Sequence, residues 1–464
     1  MEDSLSNHQN QTRACECDGV GNDFISKLPD ELLGTILERL STEEAMRTCV
    51  LSKRWENVWR QNPDLVFDMR RFMNVPRQLA VLAGNHASLL MIEVLRNFHG
   101  SMESCRIHHF LQHVREGNVI DWVRYLVHDK DIKDLALICE TGSWDYPKSK
   151  YDYYRSVAIN FPREIFAGRS LHSLELNRFC IPTEFGFWNC YNLLTLKLVR
   201  VFVESNDINR ILLFCPYLKE LVLRFVFNMN VDLKIYNDSL KFLELSGLAV
   251  PMIEVDAPDL DVLVLDDLSC RKEHFTINAP KLAFHRSYWS RNEGYLGYNI
   301  SGSVKDRIEA NESIECEILM GNTGLLRHLG VMSVNVNVKN PRDMEILSKL
   351  LRECGRLAML EICLKRRAPE DEERCLMEGQ KPWKETKPFP CMDKKMESVW
   401  IYDFDGSEEA FAFASRFVME GNVMKNMAIH IADAESDETA VALDKLSRLP
   451  KASNDLIFIT STSI

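Results

Sequence analysis

At 464 residues, 46% apolar and 27% charged, the chain has a globular composition, long enough for two to four ordinary domains or one extended solenoid with attachments. A net charge of −12 argues against general nucleic-acid affinity, which rests on neutralising phosphates with Lys and Arg. The one short basic run, Lys365-Arg366-Arg367, is followed at once by acids and reads as a solvated loop. Residues 1–22 read as a polar, disordered leader without the apolar core of a signal peptide, and no apolar run reaches the roughly 18 residues of a membrane span. A cytoplasmic or nuclear protein is expected. The 14 cysteines agree, being scattered singly and often in apolar patterns (Cys49, Cys180, Cys215, Cys363), where a reduced thiol acts as a small hydrophobe. The one close pair, Cys15 and Cys17, lies in the leader, so no metal or other cofactor is expected.

Residues 23–60 predict three short helices. Pro29 suits a first helical turn, where its missing N–H has no partner to lose, and Asp30 and Glu31 face the positive end of the helix dipole. Leu32, Leu33, Ile36, Leu37 and Leu40 then form a wide apolar stripe. Ser41 and Glu44 fit a capping box, starting a second helix with Ala45, Met46 and Cys49. A third begins near Ser52 and places Trp55, Val58 and Trp59 on one side. So small a unit rarely hides this much apolar surface by itself, so the stripe should dock on the rest of the chain or on another protein.

The segment resembles an F-box of the plant type. The resemblance rests on Leu28-Pro29-Asp30-Glu31-Leu32, Ile36-Leu37, Leu40, Val50-Leu51-Ser52-Lys53-Arg54-Trp55 and Trp59. It implies a three-helix module over 23–69 that binds a Skp-type adaptor and through it a cullin-based ubiquitin ligase. The implied adaptor surface is Leu28, Pro29, Leu32, Ile36, Leu37, Val50, Leu51, Trp55 and Trp59, some of which must instead form the module's own core.

Leu65, Phe67 and Asp68 predict a short strand, and residues 70–130 a helical connection with Ile120, Val123, Leu126 and Val127 at helical spacing. His108, His109 and His113 are the best metal-like cluster. His109 and His113 would share a helix face, but Phe110-Leu111-Gln112 between them lacks the Glu of a metalloprotease helix, so packed or polar histidines are the better reading.

Over 131–364 one template recurs, with two apolar residues three and five positions after a first. It starts at Ile132, Leu171, Leu193, Leu218, Leu240 and Leu260, weakly at Val331 and again at Leu357. From 171 to 260 successive starts are 22, 25, 22 and 20 residues apart, within the period of about 20–29 residues that defines leucine-rich repeats. Each repeat predicts a short strand and a return segment, neighbours stacking to bury one continuous core. Asn206 or Asp207 should cap a helical turn with Ile208, Ile211 and Leu212, stopped by Pro216; Met344, Leu347, Leu350 and Leu351 predict a second helix ending near Gly355. Val201, Val226, Leu248 and Leu268 replace the Asn or Cys usual after such strands. Without that polar ladder, irregular spacing and curvature are expected. Glu175, Lys197, Val222, Glu244 and Val264 fall between the leucines and would line the opposite face; residues 286–330 fit no repeat.

Residues 365–395, with Pro369, Pro382, Pro388, Pro390 and dense charge, predict an exposed linker. Beyond it, Met396, Val399 and Ile401 predict a strand, Glu408–Glu420 a helix, Met427, Ile429 and Ile431 a strand, Leu443 and Leu446 a helix, and Leu456–Ile459 a closing strand. Residues 396–464 resemble the FBD domain of plant F-box proteins through Glu397-Ser398-Val399, Phe404-Asp405-Gly406, Ala414, Phe417 and Leu449-Pro450-Lys451-Ala452-Ser453. The expected architecture is α/β: an N-terminal three-helix F-box, an irregular leucine-rich-repeat solenoid and a small C-terminal α+β FBD unit, which could equally be a cap on the solenoid's last edge.

The two resemblances imply a non-catalytic, substrate-recognition subunit of a Skp–cullin–F-box ubiquitin ligase, holding an adaptor through the F-box and a target protein through the repeats. The alternative is a repeat scaffold that promotes no ubiquitylation. The sequence carries no phosphate-cradling glycine loop, zinc-spaced Cys/His set or nucleophile elbow, which argues against an enzyme, and neither membrane nor nucleic acid is an expected partner.

Overall fold

A computed structural model describes residues 25–37, 39–70, 79–98, 100–110, 117–140, 159–160, 169–181, 190–203, 206–227, 229–266, 274–287, 329–364, 389–431 and 437–462, with a few isolated positions between them. The leader, His113, the tract 288–325 and most of the charged linker lie outside the described residues. Contacts divide the chain into two units, Met1–Asn62 and Pro63–Ile464.

The first unit holds α1 (Asp30–Leu37), α2 (Thr42–Arg47) and α3 (Lys53–Trp59), with 3-10 turns at Ile25–Lys27 and Thr48–Val50. The predicted capping box is present: Glu44 N–H donates to Ser41 Oγ at 3.3 Å, and Ser41 N–H donates to the Glu44 carboxylate at 3.1 Å. Ser52 stands at the N-cap of α3, with no side-chain capping bond.

In the second unit the leucine template becomes a sheet. The last two leucines of each repeat are two positions apart on a strand and point to one face, because strand side chains alternate. Leu174, Leu196, Leu221, Leu243 and Leu263 pair in register across five strands, as do Leu176, Leu198, Leu223, Leu245 and Leu265; all are at most 1% exposed. The strands are β1 (Asp64–Asp68), β2 (Ser104–Phe110), β3 (Asp134–Glu140), β4 (Ile159–Asn160), β5 (Ser173–Asn177), β6 (Phe179–Ile181) and β7 (Thr195–Val199). There follow β8 (Phe202–Val203), β9 (Glu220–Arg224), β10 (Leu233–Tyr236), β11 (Phe242–Ser246), β12 (Ile253–Asp256), β13 (Val262–Asp266) and β14 (Phe275–Asn278). The last are β15 (Phe284–Ser287), β16 (Val331–Val336), β17 (Met359–Leu364), β18 (Ser398–Phe404), β19 (Asn426–Ile431) and β20 (Ile457–Thr462).

Fourteen of these form a single sheet in the order β1-β2-β3-β5-β7-β9-β11-β13-β15-β16-β17-β18-β19-β20, each strand parallel to the next. The return segments were expected to be partly helical. The two helices foreseen there are present, over Asp207–Leu213 and Pro341–Glu353, and in addition β4-β6-β8 and β10-β12-β14 make two small parallel sheets. Runs such as Ile253-Glu254-Val255-Asp256 are too short for a helical period to compete with alternation. Among the described residues, helices stand in the longer connections: α4 (Ala80–Asn97), α5 (Asn118–Arg124), α6 (Asp207–Leu213), α7 (Pro341–Glu353), α8 (Pro390–Lys394), α9 (Glu408–Glu420) and α10 (Asp437–Ser447). A single π-helical turn, Tyr125–Asp129, extends α5. Asn206 precedes α6 without a side-chain capping bond.

Spacing along the chain is irregular, as expected: successive strands of the sheet start 20 to 47 residues apart. Pairing runs without a register shift from β1 to β18. Backbone does the work of the missing polar ladder. Arg178, Arg200, Phe225 and Gly247, each one residue past a strand, have φ of 66°, 52°, 53° and 60°. That left-handed bend aims the N–H sideways: Arg178 donates to the Val199 carbonyl at 2.9 Å, Arg200 to Arg224 at 2.8 Å and Phe225 to Ser246 at 2.8 Å. Val201, Val226, Leu248 and Leu268, where Asn or Cys was missed, are buried core residues. At Gly247 a Cβ would stand 2.2 Å from Phe225 Cδ1, so the ring lies where only glycine leaves room.

Three expectations change. The 70–130 connection contains the strand β2, whose Cys105, Ile107 and His109 alternate inward, so His108 and His109 point to opposite faces and share no helix. The end of the linker is structured: Pro390 opens α8, and Phe389, Cys391 and Met392 are at most 2% exposed. The C-terminal region is no separate α+β appendage, because β18, β19 and β20 continue the parallel sheet from β17, with α9 and α10 as their connections.

Candidate adaptor-binding site

In the N-terminal unit, α1 carries two apolar stripes, each at four-residue spacing. Leu33 and Leu37 are fully buried, whereas Leu32 and Ile36, one helical step of about 100° round, are 50% and 42% exposed. The turn after α2 exposes Val50 by 88% and Leu51 by 63%, and the first turn exposes Ile25. The module therefore has a core of its own (Leu33, Leu37, Ala45) and leaves a second apolar set outside it. Full burial of five such side chains would be worth roughly 1.5–3 kcal/mol each, so their exposure is a substantial unspent driving force.

Polar ties hold this arrangement. Arg54 on α3 donates from Nε to Asp30 Oδ1 at 2.5 Å and from Nη2 to the Leu28 carbonyl, clamping the entry of α1 to the start of α3. The guanidinium fork is suited to two acceptors at once.

The structure divides the nine residues expected at the adaptor surface. Pro29, Leu32, Ile36, Val50 and Leu51 are exposed and Leu28 is half-buried. Leu37, Trp55 and Trp59 are at most 6% exposed, which corrects their placement: they reach no partner unless the unit opens. Helical spacing alone cannot separate the two stripes, because 32 and 33 differ by one position. Ile25 was not foreseen; its only signal was an apolar residue just before the Leu28-Pro29 start.

The second unit's sheet has a row opposite the leucines: Arg106, Ala136, Glu175, Lys197, Val222, Glu244 and Val264 are paired in register from β2 to β13. Arg106 reaches over the small Ala136 to Glu175 at 3.0 Å, Lys197 pairs with Glu220 at 2.7 Å, and Arg224 Nη2 donates to Glu244 Oε2 at 2.9 Å. The five positions foreseen for this face do share it, yet Val222, Glu244 and Val264 are at most 5% exposed. Charge on this stretch is thus matched internally. Among the described residues no group of three or more metal-ligating side chains comes together, and no helix is long and apolar enough to cross a membrane.

A family model for the F-box domain matches residues 25–67, and a model described as the leucine-rich repeats of an FBD-associated F-box protein, At5g56370, matches 119–362, more than half of the chain. The chain belongs to the F-box/FBD/leucine-rich-repeat family. Similar relatives from Arabidopsis thaliana include F-box protein At1g80960, 36% identical over 88% of this chain and 83% of its own length. Putative F-box protein At1g67390 is 34% identical over 94% and 91%. F-box/FBD/LRR-repeat protein At4g00160 is 25% identical over 94% and 92%. In this F-box/FBD/leucine-rich-repeat protein the exposed stripe of α1 and the Val50-Leu51 turn lie within the matched F-box, which implies a Skp-type adaptor as partner.

Proposed function

We propose that the protein is the substrate-recognition subunit of a Skp–cullin–F-box ubiquitin ligase, working in the cytoplasm, the nucleus or both. The observation that carries this reading is the exposure of Leu32, Ile36, Val50 and Leu51 on a helical unit that already has buried core residues. An adaptor seated on those side chains would remove them from water, and the cullin would join through the adaptor. The repeats would hold a target protein near a ubiquitin-charged enzyme supplied by the complex. The gain in rate would be one of effective concentration, which asks for no catalytic side chain and no cofactor in this chain.

A pull-down of the full chain with a purified Skp-type adaptor tests the reading, with Leu28→Ala/Pro29→Ala as the comparison. Retention of the native chain and loss of the variant are expected; no retention of the native chain sinks the proposal. Deleting the F-box should also slow turnover of whatever protein the repeats bind. Turnover unchanged by that deletion, where the native chain does retain the adaptor, would identify the protein as a scaffold instead.

A further inference from the structure

The long sheet has two edges, and they differ. At one, β1 carries Asp64 and Asp68, and charged side chains of that kind guard an edge against pairing. At the other, β20 runs Ile457-Phe458-Ile459-Thr460-Ser461-Thr462, with no charge and no Pro. Among the described residues no strand lies beyond it. Ile457, Ile459 and Ser461 lie on the sheet's open face, the one opposite the leucines, beside Asn426, Ala428 and His430 of β19; Ile457 and Ile459 are 60% and 47% exposed. The strand is braced from within. Ser461 Oγ lies 2.6 Å from His430 Nδ1, and the rings of His430, Tyr402 and Trp400 stack, His430 on Tyr402 at 4.4 Å and 5°. One bond fixes which backbone groups are left over. Ile457 N–H donates to the Lys425 carbonyl at 2.8 Å, so Ile457, Ile459 and Ser461 turn their N–H and C=O groups toward β19. Directions alternate along a strand, so the groups of Phe458 and Thr460 point away from the sheet.

We propose that β20 pairs antiparallel with β20 of a second copy of this chain, about a two-fold axis that passes through Ile459 perpendicular to the sheet. That axis keeps both open faces on one side and both leucine cores on the other, so the two sheets continue as one. The outward groups then fit themselves: Phe458 of each copy exchanges both backbone bonds with Thr460 of the other. Ile459 meets Ile459 as a close, non-hydrogen-bonded pair with Cα atoms about 4.5 Å apart, and Ile457 lies opposite Ser461. Charge selects the occupant. A strand without charge meets no like charge in its own image and offers a charged segment nothing to pair with. A contact one strand wide lies at the small end of interfaces, so dissociation in the micromolar range is expected. The pairing is independent of the ligase reading: each dimer carries the F-box of both copies, whatever they bind.

Sedimentation equilibrium of the full-length chain from about 1 to 200 μM tests the pairing. A monomer–dimer equilibrium is expected. Ile459→Lys sets like charges opposite each other at the axis and should weaken the dimer about tenfold or more. Because that position is half exposed, the urea midpoint should stay unchanged. Ile459→Glu should do the same by itself. Equal mixing of the two variants should restore the dimer, since a Lys then faces a Glu across the axis. That recovery is specific to residue 459 meeting itself and does not arise from a loss of folding. A chain monomeric at the highest concentration, a dimer indifferent to Ile459→Lys, or no recovery on mixing overturns the inference. So does a mass that rises past the dimer, which head-to-tail pairing of β20 with β1 of the next copy would give.

Discussion

Leu32 and Leu33 are adjacent in sequence, yet truncating each should break a different property of the protein. Leu33 is fully buried, so Leu33→Ala removes packing and leaves a cavity, at a cost of about 2–5 kcal/mol of stability. Leu32→Ala removes three carbons, worth about 0.8 kcal/mol each on full burial. Because Leu32 is 50% exposed, about half of that benefit remains to be gained on a partner: about 1.2 kcal/mol, or about eightfold in Kd. Val50→Ala removes two carbons from a residue 88% exposed, giving about 1.4 kcal/mol or about tenfold. The double variant should then lose about 80-fold while the unit's unfolding free energy changes little. Calorimetric titration with a purified Skp-type adaptor, beside urea unfolding of the same samples, reads both quantities. The reasoning is refuted if Leu32→Ala destabilises the unit as much as Leu33→Ala does, or if Leu33→Ala folds normally and loses adaptor binding.

Three other outcomes follow from the geometry. Gly247→Ala should cost about 2–4 kcal/mol in urea unfolding, combining left-handed backbone strain with displacement of the Phe225 ring; Phe225→Ala in the same chain should return the steric share. Burial holds the His430 imidazole below its ordinary 6.5, so the unfolded chain takes up that proton first. Stability should therefore fall as pH drops through the unfolded value and be fully present above it, and proton-resolved NMR of the folded chain should show His430 titrating low, with His430→Gln flattening that part of the profile. Burial pushes the thiols of Cys190 and Cys354 up to about 12 and that of Cys391 to about 11. Iodoacetamide at mildly alkaline pH should spare them in the folded chain and label them after denaturation, as read by mass spectrometry.

Much of the solenoid was legible because its signal is repeated. One Leu-x-x-Leu-x-Leu template could be chance, but successive copies from Leu171 to Leu260 fix strand position, facing and register together. Helix α9 was readable to the residue, since Ser407 caps it by accepting from Ala410 N–H and Gly421 ends it. What stayed hidden was decided by tertiary contact. Strand β2 sits between two helical stretches, and its Ser-Cys-Arg-Ile-His-His-Phe run becomes a strand by pairing with β1 and β3. Likewise, sequence located the adaptor stripe but could not divide it, because packing of the three helices alone separates Leu33 from Leu32. The aromatic stack of the last strands was invisible for the same reason: Trp400 and His430 are distant in sequence and meet only through the pairing of β18 with β19.

The unbroken sheet also bears on how deletions of the C-terminal region should be interpreted. Ending the chain at residue 395 would strip β18 from β17 and leave the six-residue strand Met359–Leu364, with its buried Leu360, Ile362 and Cys363, as a raw edge. Such an edge templates pairing with other chains. Loss of activity after that cut would therefore report misassembly as readily as a lost binding surface. Point substitutions on the open face, which leave the ladder intact, are the experiments that separate the two.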